Sequence, residues 1–284
     1  MYPANLRLEL IMTAIVKSHP VISFFLLSVL LGMLPLALVS SGLLPVAFSQ
    51  LGAFSASIAG FILASIGAGR ESVTDLLRRV LIWRVGFRWW ITAILYTAIM
   101  AAAALFLSSK FDGITIDWQS LPPIYQVIPM MFILIVLAGL GEEFGWRGFL
   151  IPVLQCRHSA LVSSLIIGVC HSFWHLPLFL VEGTAQSEWA QQLGLIPAFL
   201  GYSVFVIAWA IQLSWFFNNT KGSVLLVAVV HGAGNAWIGG YFDVSGNAGT
   251  LGNNMLTVLM ATLSLALVVI AGKNLMSNAT LKKQ

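Results

Sequence analysis

Residues 139–148 read GLGEEFGWRG. Two adjacent carboxylates, Glu142 and Glu143, and one arginine, Arg147, stand inside an apolar run, for residues 124–140 and 149–154 carry no charge at all. A continuous helix over about residues 125–155 would put all three charges at bilayer depth. Each charge there costs about 2.5–3.5 kcal/mol on insertion scales, so such residues are rare and read as functional. Glu143 and Arg147 are spaced i, i+4 with the acid N-terminal, the favoured order for an ion pair. Glu142 lies about 140° around the helix from Arg147, at roughly 100° per residue, and cannot easily share it. Helix geometry therefore pairs Glu143 with Arg147 and leaves Glu142 for chemistry. The alternative is one buried ion cluster of purely structural role.

The surrounding chain is built for lipid. Of its 284 residues, 59% are hydrophobic and 8% charged, with a mean hydropathy of +0.93. Soluble domains carry about 25% charged residues. The expected fold is all-α: a polytopic bundle of about eight transmembrane helices, forming a single integral membrane domain over residues 1–284. Spans are expected at about 20–40, 46–68, 89–109, 125–155, 159–181, 194–217, 223–241 and 254–271, with residues 242–253 read as a Gly/Asn-rich loop.

Arg7, Glu9 and Lys17 mark a surface amphipathic helix at the start. Arg70, Arg78, Arg79, Arg84 and Arg88, interleaved with Leu76, Leu77, Leu81 and Trp83, predict an interfacial basic helix over residues 70–88 that anchors the topology. Lys110, Asp112, Asp117, Pro122 and Pro123 mark a loop, and Lys273, Lys282 and Lys283 a tail. With the N-terminus in the cytoplasm, thirteen of the fourteen lysines and arginines fall on the cytoplasmic half, Lys110 being the exception. This is the positive-inside bias, and it expects both termini in the cytoplasm. The net charge of +4 therefore describes loops rather than a nucleic-acid surface. Cys156 and Cys170 suggest neither a disulfide framework nor a thiolate metal site.

Two further spans carry polar residues at depth. His171 and His175 are i, i+4, as are His231 and Asn235, so each pair shares a helix face. Three of the chain's five histidines are thus inside spans. Glycines 139, 141, 145 and 148, and glycines 232 and 234, would let these helices approach closely.

These residues also form three motifs. EEFGWRG (142–148) fits Glu-Glu-x-x-x-Arg, WHLP (174–177) supplies His175, and HGAGN (231–235) fits His-x-x-x-Asn. In this order and on these spans the chain resembles the CPBP intramembrane endopeptidases: the type II CAAX prenyl endopeptidases and their prokaryotic relatives, also called the ABI family. The resemblance covers about residues 125–240, the expected catalytic core. It implies hydrolysis of peptide bonds within the membrane. Glu142 and His175 would hold and activate a water, His231 and Asn235 would stabilise the oxyanion, and Glu143 and Arg147 would support the site. His171 stands where the family commonly has phenylalanine, so it is either a packing replacement, the preferred reading, or a second polar member of the site.

Members of the family have been classed both as metalloproteases and as glutamate-dependent proteases. If a metal is present, the expected ligands are Glu142, His175 and His231, a set suited to zinc. HSFWH (171–175) lacks the acid of the helical His-Glu-x-x-His pattern, and a metal-free mechanism without cofactor is preferred. Expected partners are the lipid bilayer and a peptide or protein substrate, lipidated or not, with no nucleic acid. The expected location is a bacterial plasma membrane, with the active site in a cavity open to the cytoplasm. Depth poses a problem for this picture. His175 lies about 24 Å along its span from the cytoplasmic end and His231 only about 12 Å along its own, at 1.5 Å per residue.

Two other classes remain beside the protease. A proton or cation transporter would use the same polar residues, but no paired halves with central breaks are visible. A non-catalytic immunity or scaffolding protein on the same fold would not need an intact Glu142, His175, His231 and Asn235 set.

Overall fold

The computed structural model describes residues 13–111, 115–119 and 121–276. Of the residues singled out from sequence, Arg7, Glu9, Asp112, Lys282 and Lys283 lie outside this range. Among the described residues there are no strands, and eight helices are long and apolar enough to cross a membrane. They are α1 (Pro20–Ser40), α2 (Val46–Gly67), α3 (Phe87–Phe111), α4 (Ile124–Gln155), α5 (Ala160–Leu180), α6 (Leu195–Asn219), α7 (Val224–Tyr241) and α8 (Val244–Ala271). The architecture follows from the solvent. Lipid offers no hydrogen bonds, so each span must satisfy its backbone internally, and a helix does so. Exposed apolar side chains such as Leu30 and Leu34 on α1 and Val269 and Ile270 on α8 form the lipid-facing surface. α7 is the central helix, with 67% of its span buried.

Two stretches depart from the sequence expectation. Residues 244–253, expected as loop, belong to α8, which is capped by Asp243 and kinked at Gly249 (φ +55°). The Asp243 carboxylate accepts the Gly246 N–H at 3.1 Å. The basic segment is helical only in part. Helix α2 continues past Gly69 (φ +69°) to Arg78, where Arg79 pairs with Asp75 at 2.9 Å, and residues 82–86 are irregular.

Helix α4 is not a uniform α-helix either. Its winding is α over Val127–Leu134, π over Ile135–Leu140, α over Gly141–Glu143, π over Phe144–Leu150 and α again over Ile151–Gln155. Each π residue turns through less than the 100° of an α-helix, so side-chain contacts rather than a uniform α-helical wheel show which way each residue of α4 faces. Close packing accompanies the glycines. A Cβ at Gly139 would sit on the Ala228 carbonyl of α7, and one at Gly145 on the Ala56 carbonyl of α2.

The same packing resolves the depth problem. Helices α4 and α7 run antiparallel, and α7 begins beside Gly148, where a Cβ would meet Val224 at 3.3 Å. Gly148 is seven residues short of the end of α4, so α7 starts about 10 Å inside the bundle. His231 lies about 10 Å further along α7, giving about 20 Å in all, against about 22 Å for His175 along α5. Ser223 fixes this recessed start: its hydroxyl accepts the Leu226 N–H at 3.1 Å and donates to the Ile82 carbonyl at 2.6 Å.

Candidate active site

Offset α7 and rewound α4 bring the polar residues of three spans to one place. Glu143 and Arg147, both fully buried, pair at 3.0 Å, so the i, i+4 reading holds in spite of the π winding. The same Glu143 Oε1 accepts a second hydrogen bond, from His231 Nδ1–H at 2.6 Å. The imidazole is thereby clamped with its other edge towards a cavity. Glu142 leaves this group and faces α5, where it accepts His171 Nε2–H at 2.9 Å. The two neighbouring carboxylates thus serve different histidines.

His171 does more than pack. It stacks on Trp146, with ring centroids 4.6 Å apart, and also touches Glu142, so both alternatives left by the sequence describe it. His175 Nδ1–H donates to the His171 carbonyl at 2.9 Å, which turns Nε2 away from the backbone. Asn235, one turn beyond His231, is exposed and lines the cavity.

The cavity has a volume of about 570 Å³. Glu142, His171, Trp209 and His231 form its floor, and His175, Tyr202 and Asn235 stand on its wall. Tyr202 packs edge-on against His175 at 5.2 Å, and Trp209 against His231 at 6.0 Å. Sequence reading passed over both. Their i, i+7 spacing on α6, which repeats one helix face, was the available signal.

Every lining helix contributes residues only from the floor towards one end of the bundle. On α2 the lining runs to Ala53, on α4 to Glu142, on α5 from His171 and on α7 from His231. That end carries loop 41–45 and the segment 181–194, in which Ala185–Leu193 form a short helix, and Gly183, Thr184 and Gln186 complete the rim. Beneath the floor, Leu150, Ile151, Ile167, Leu213 and Leu226 are fully buried and close the way to the other end. The other end bears Arg78, Arg79, Arg84, Arg88, Arg157 and Lys221. The cavity mouth and these basic residues thus lie at opposite ends of the bundle.

The metal expectation changes as well. Among the described residues, the group whose ligand atoms all lie within 4.8 Å of one another is Glu142, His171 and His175. His231 is outside it, its Nδ1 being engaged by Glu143, and so it drops out of the ligand set expected from sequence. One carboxylate and two imidazoles suit zinc chemically. A His175 Nδ1–H held by a backbone carbonyl is also the arrangement that orients a metal-binding imidazole. The 2.9 Å between His171 and Glu142 is nevertheless hydrogen-bond spacing. Two ligands of one tetrahedral zinc would stand about 3.3 Å apart.

Comparison with known proteins identifies the same region. Residues 123–237 match the family model described as type II CAAX prenyl endopeptidase Rce1-like. Over 104 residues the chain is 32% identical to CAAX prenyl protease 2 of Methanococcus maripaludis, and the match covers 37% of each chain. The matched stretch runs from the start of α4 to Trp237 and holds Glu142, Glu143, Arg147, His171, His175, His231 and Asn235. Across residues 123–237, the part that builds the floor of the cavity, the chain is Rce1-like.

Proposed function

We propose that the protein is an intramembrane endopeptidase that hydrolyses peptide bonds of membrane-associated chains. The reading is carried by one observation: Glu142, His175 and His231, from three separate motifs, line one cavity. Glu142 accepts a proton from water lying between its carboxylate and His175 Nε2, and the resulting hydroxide attacks the scissile carbonyl. The proton then passes to the leaving amine. Protonated on both nitrogens, His231 donates Nε2–H to the oxyanion while Nδ1–H stays on Glu143, and the Asn235 amide supplies a second donor. Removing one such donor commonly costs a factor of about 100–1,000 in rate. Arg147 balances the charge of Glu143. If Glu142, His171 and His175 held zinc, the ion would act as a Lewis acid and ease ionisation of the water. The missing acid in HSFWH (171–175) keeps the metal-free route as the preferred one.

The test is comparative proteomics of membranes from cells carrying the wild-type protein or Glu142→Gln. Membrane-associated chains should accumulate uncut in the variant, and their fragments should appear only with the wild type. Indistinguishable membrane proteomes, with both proteins folded and equally abundant, would refute the proposal.

A further inference from the structure

We infer that Tyr202 is a positioning residue for His175, and that the short helix at the rim of the cavity, Ala185–Leu193, sets where Tyr202 stands. His175 is the last α-helical residue of α5, and the winding changes to 3₁₀ over Leu176–Leu180. One hydrogen bond, from Nδ1–H to the His171 carbonyl, ties one edge of its ring, and a single bond leaves the ring free to swing about it. Three rings surround the imidazole: His171 at 4.7 Å, Trp174 at 4.8 Å and Tyr202 at 5.2 Å. The first two belong to α5 and move with it. Among the described residues, Tyr202 is the ring that ties His175 to another span, and it does so edge-on, a favoured geometry for such pairs.

Tyr202 is held in turn from the rim. Its hydroxyl oxygen accepts Gln186 Nε2–H at 3.3 Å, and the buried Trp189 meets its ring edge-on at 6.2 Å. Gln186 and Trp189 are i, i+3 and share one face of the rim helix. Phe179, Trp189 and Ala198 form a small buried cluster on which Tyr202 packs. Thr184 caps the rim helix by accepting Ser187 N–H at 3.2 Å, and Gly183 (φ +80°) and Gly194 (φ +87°) bound it. Glycine takes such angles at no steric cost, so the helix joins the chain at two permissive points and side-chain contacts fix its position. Rim helix, Tyr202 and His175 thus form a line of contacts from the mouth of the cavity to an imidazole nitrogen within 4.8 Å of the Glu142 carboxylate.

The chain has five histidines, few enough to resolve His175 by NMR. Full-length protein with ring-labelled histidine is compared in detergent as wild type, Tyr202→Phe, Gln186→Leu and Tyr202→Leu, with His175→Asn to assign the signal. Tyr202→Leu should shift and broaden the His175 ring resonances. Tyr202→Phe and Gln186→Leu should each shift them by a smaller and similar amount, and the two combined no further, because both remove the same bond. On an internally quenched peptide carrying the sequence cut in the proteomic comparison, Tyr202→Leu should lower kcat about tenfold at nearly unchanged KM. A His175 signal that stays in place in Tyr202→Phe and Gln186→Leu, or a raised KM at unchanged kcat, would overturn the inference, and those two variants decide it if Tyr202→Leu does not fold. The rate measurement rests on the peptidase reading; the spectrum does not. A wild-type protein that cuts nothing would sink that reading alone, and cleavage with an unmoved His175 signal would sink the positioning role alone.

Discussion

Neutralising Glu143 should damage the protein in two separable ways. Its carboxylate and the Arg147 guanidinium are fully buried and 3.0 Å apart, and Arg147 Nε and Nη2 have no other partner among the described residues. Glu143→Gln therefore strands a buried cation. Removing one partner of a buried pair costs about 3–5 kcal/mol, which for a chain of this size is on the order of 10 °C in Tm. The same oxygen also holds His231 at 2.6 Å, and a neutral amide supports an imidazolium poorly, so activity should fall as well. Glu143→Gln combined with Arg147→Met should regain much of the Tm without regaining activity, because the stranded charge is gone but His231 still lacks its carboxylate. Glu142→Gln should melt close to wild type with almost no activity. The assays are thermal melting in detergent and turnover of a reconstituted substrate. If Glu143→Gln melts like wild type, or Glu142→Gln melts as low as Glu143→Gln is expected to, the division of labour between the two glutamates is refuted.

Three further outcomes follow from particular contacts. His171→Phe keeps a ring on Trp146 but removes the hydrogen bond to Glu142; a bond to a charged group contributes about 1.5–3 kcal/mol to stability, so the variant should melt several degrees below wild type with reduced turnover, and an unchanged Tm and rate would return His171 to pure packing. Exhaustive chelation should leave reconstituted activity intact, whereas stoichiometric zinc whose removal and return abolish and restore turnover would reverse the metal-free choice. Gly145→Ala places a methyl on the Ala56 carbonyl of α2; overpacking costs about 1–3 kcal/mol, so the variant should melt several degrees below wild type, and an unchanged Tm would show that α2 and α4 can part without penalty.

How much of this was legible in sequence divides by range. Hydropathy and loop charge located the spans, because twenty-residue apolar runs and basic loops are local signals. The Glu143–Arg147 pair was legible for the same reason, being one helical turn long. The bonds that hold the polar residues of the candidate site together join residues 29 apart, for Glu142 and His171, and 88 apart, for Glu143 and His231. No periodicity encodes them. The motif resemblance brought Glu142, His175, His231 and Asn235 into one site but left His171 ambiguous, since only the fold shows that its ring stacks and donates at once. The recessed start of α7 was invisible because it depends on Ser223 reaching the Ile82 carbonyl, 141 residues away. That recess, with the buried plug beneath the floor, shows which end of the bundle the site faces.

The adjacency of the two glutamates then acquires a physical reason. A carboxylate that activates water must touch a wet cavity, whereas one that holds an imidazolium against a guanidinium does so best away from competing water. Both demands cannot be met by one residue, nor by two on the same helix face. Consecutive positions on α4 point in different directions: Glu142 towards the α5 side of the cavity floor, and Glu143 down among α7 and Arg147. The boundary between wet and dry therefore passes between residues 142 and 143. Trp146 and His171, stacked one against the other, help to close it. The glycines of α4 complete the arrangement. At 139 and 145 they bring α7 and α2 against the helix backbone, and that close approach keeps lipid and water from the ion pair while the cavity stays open above Glu142.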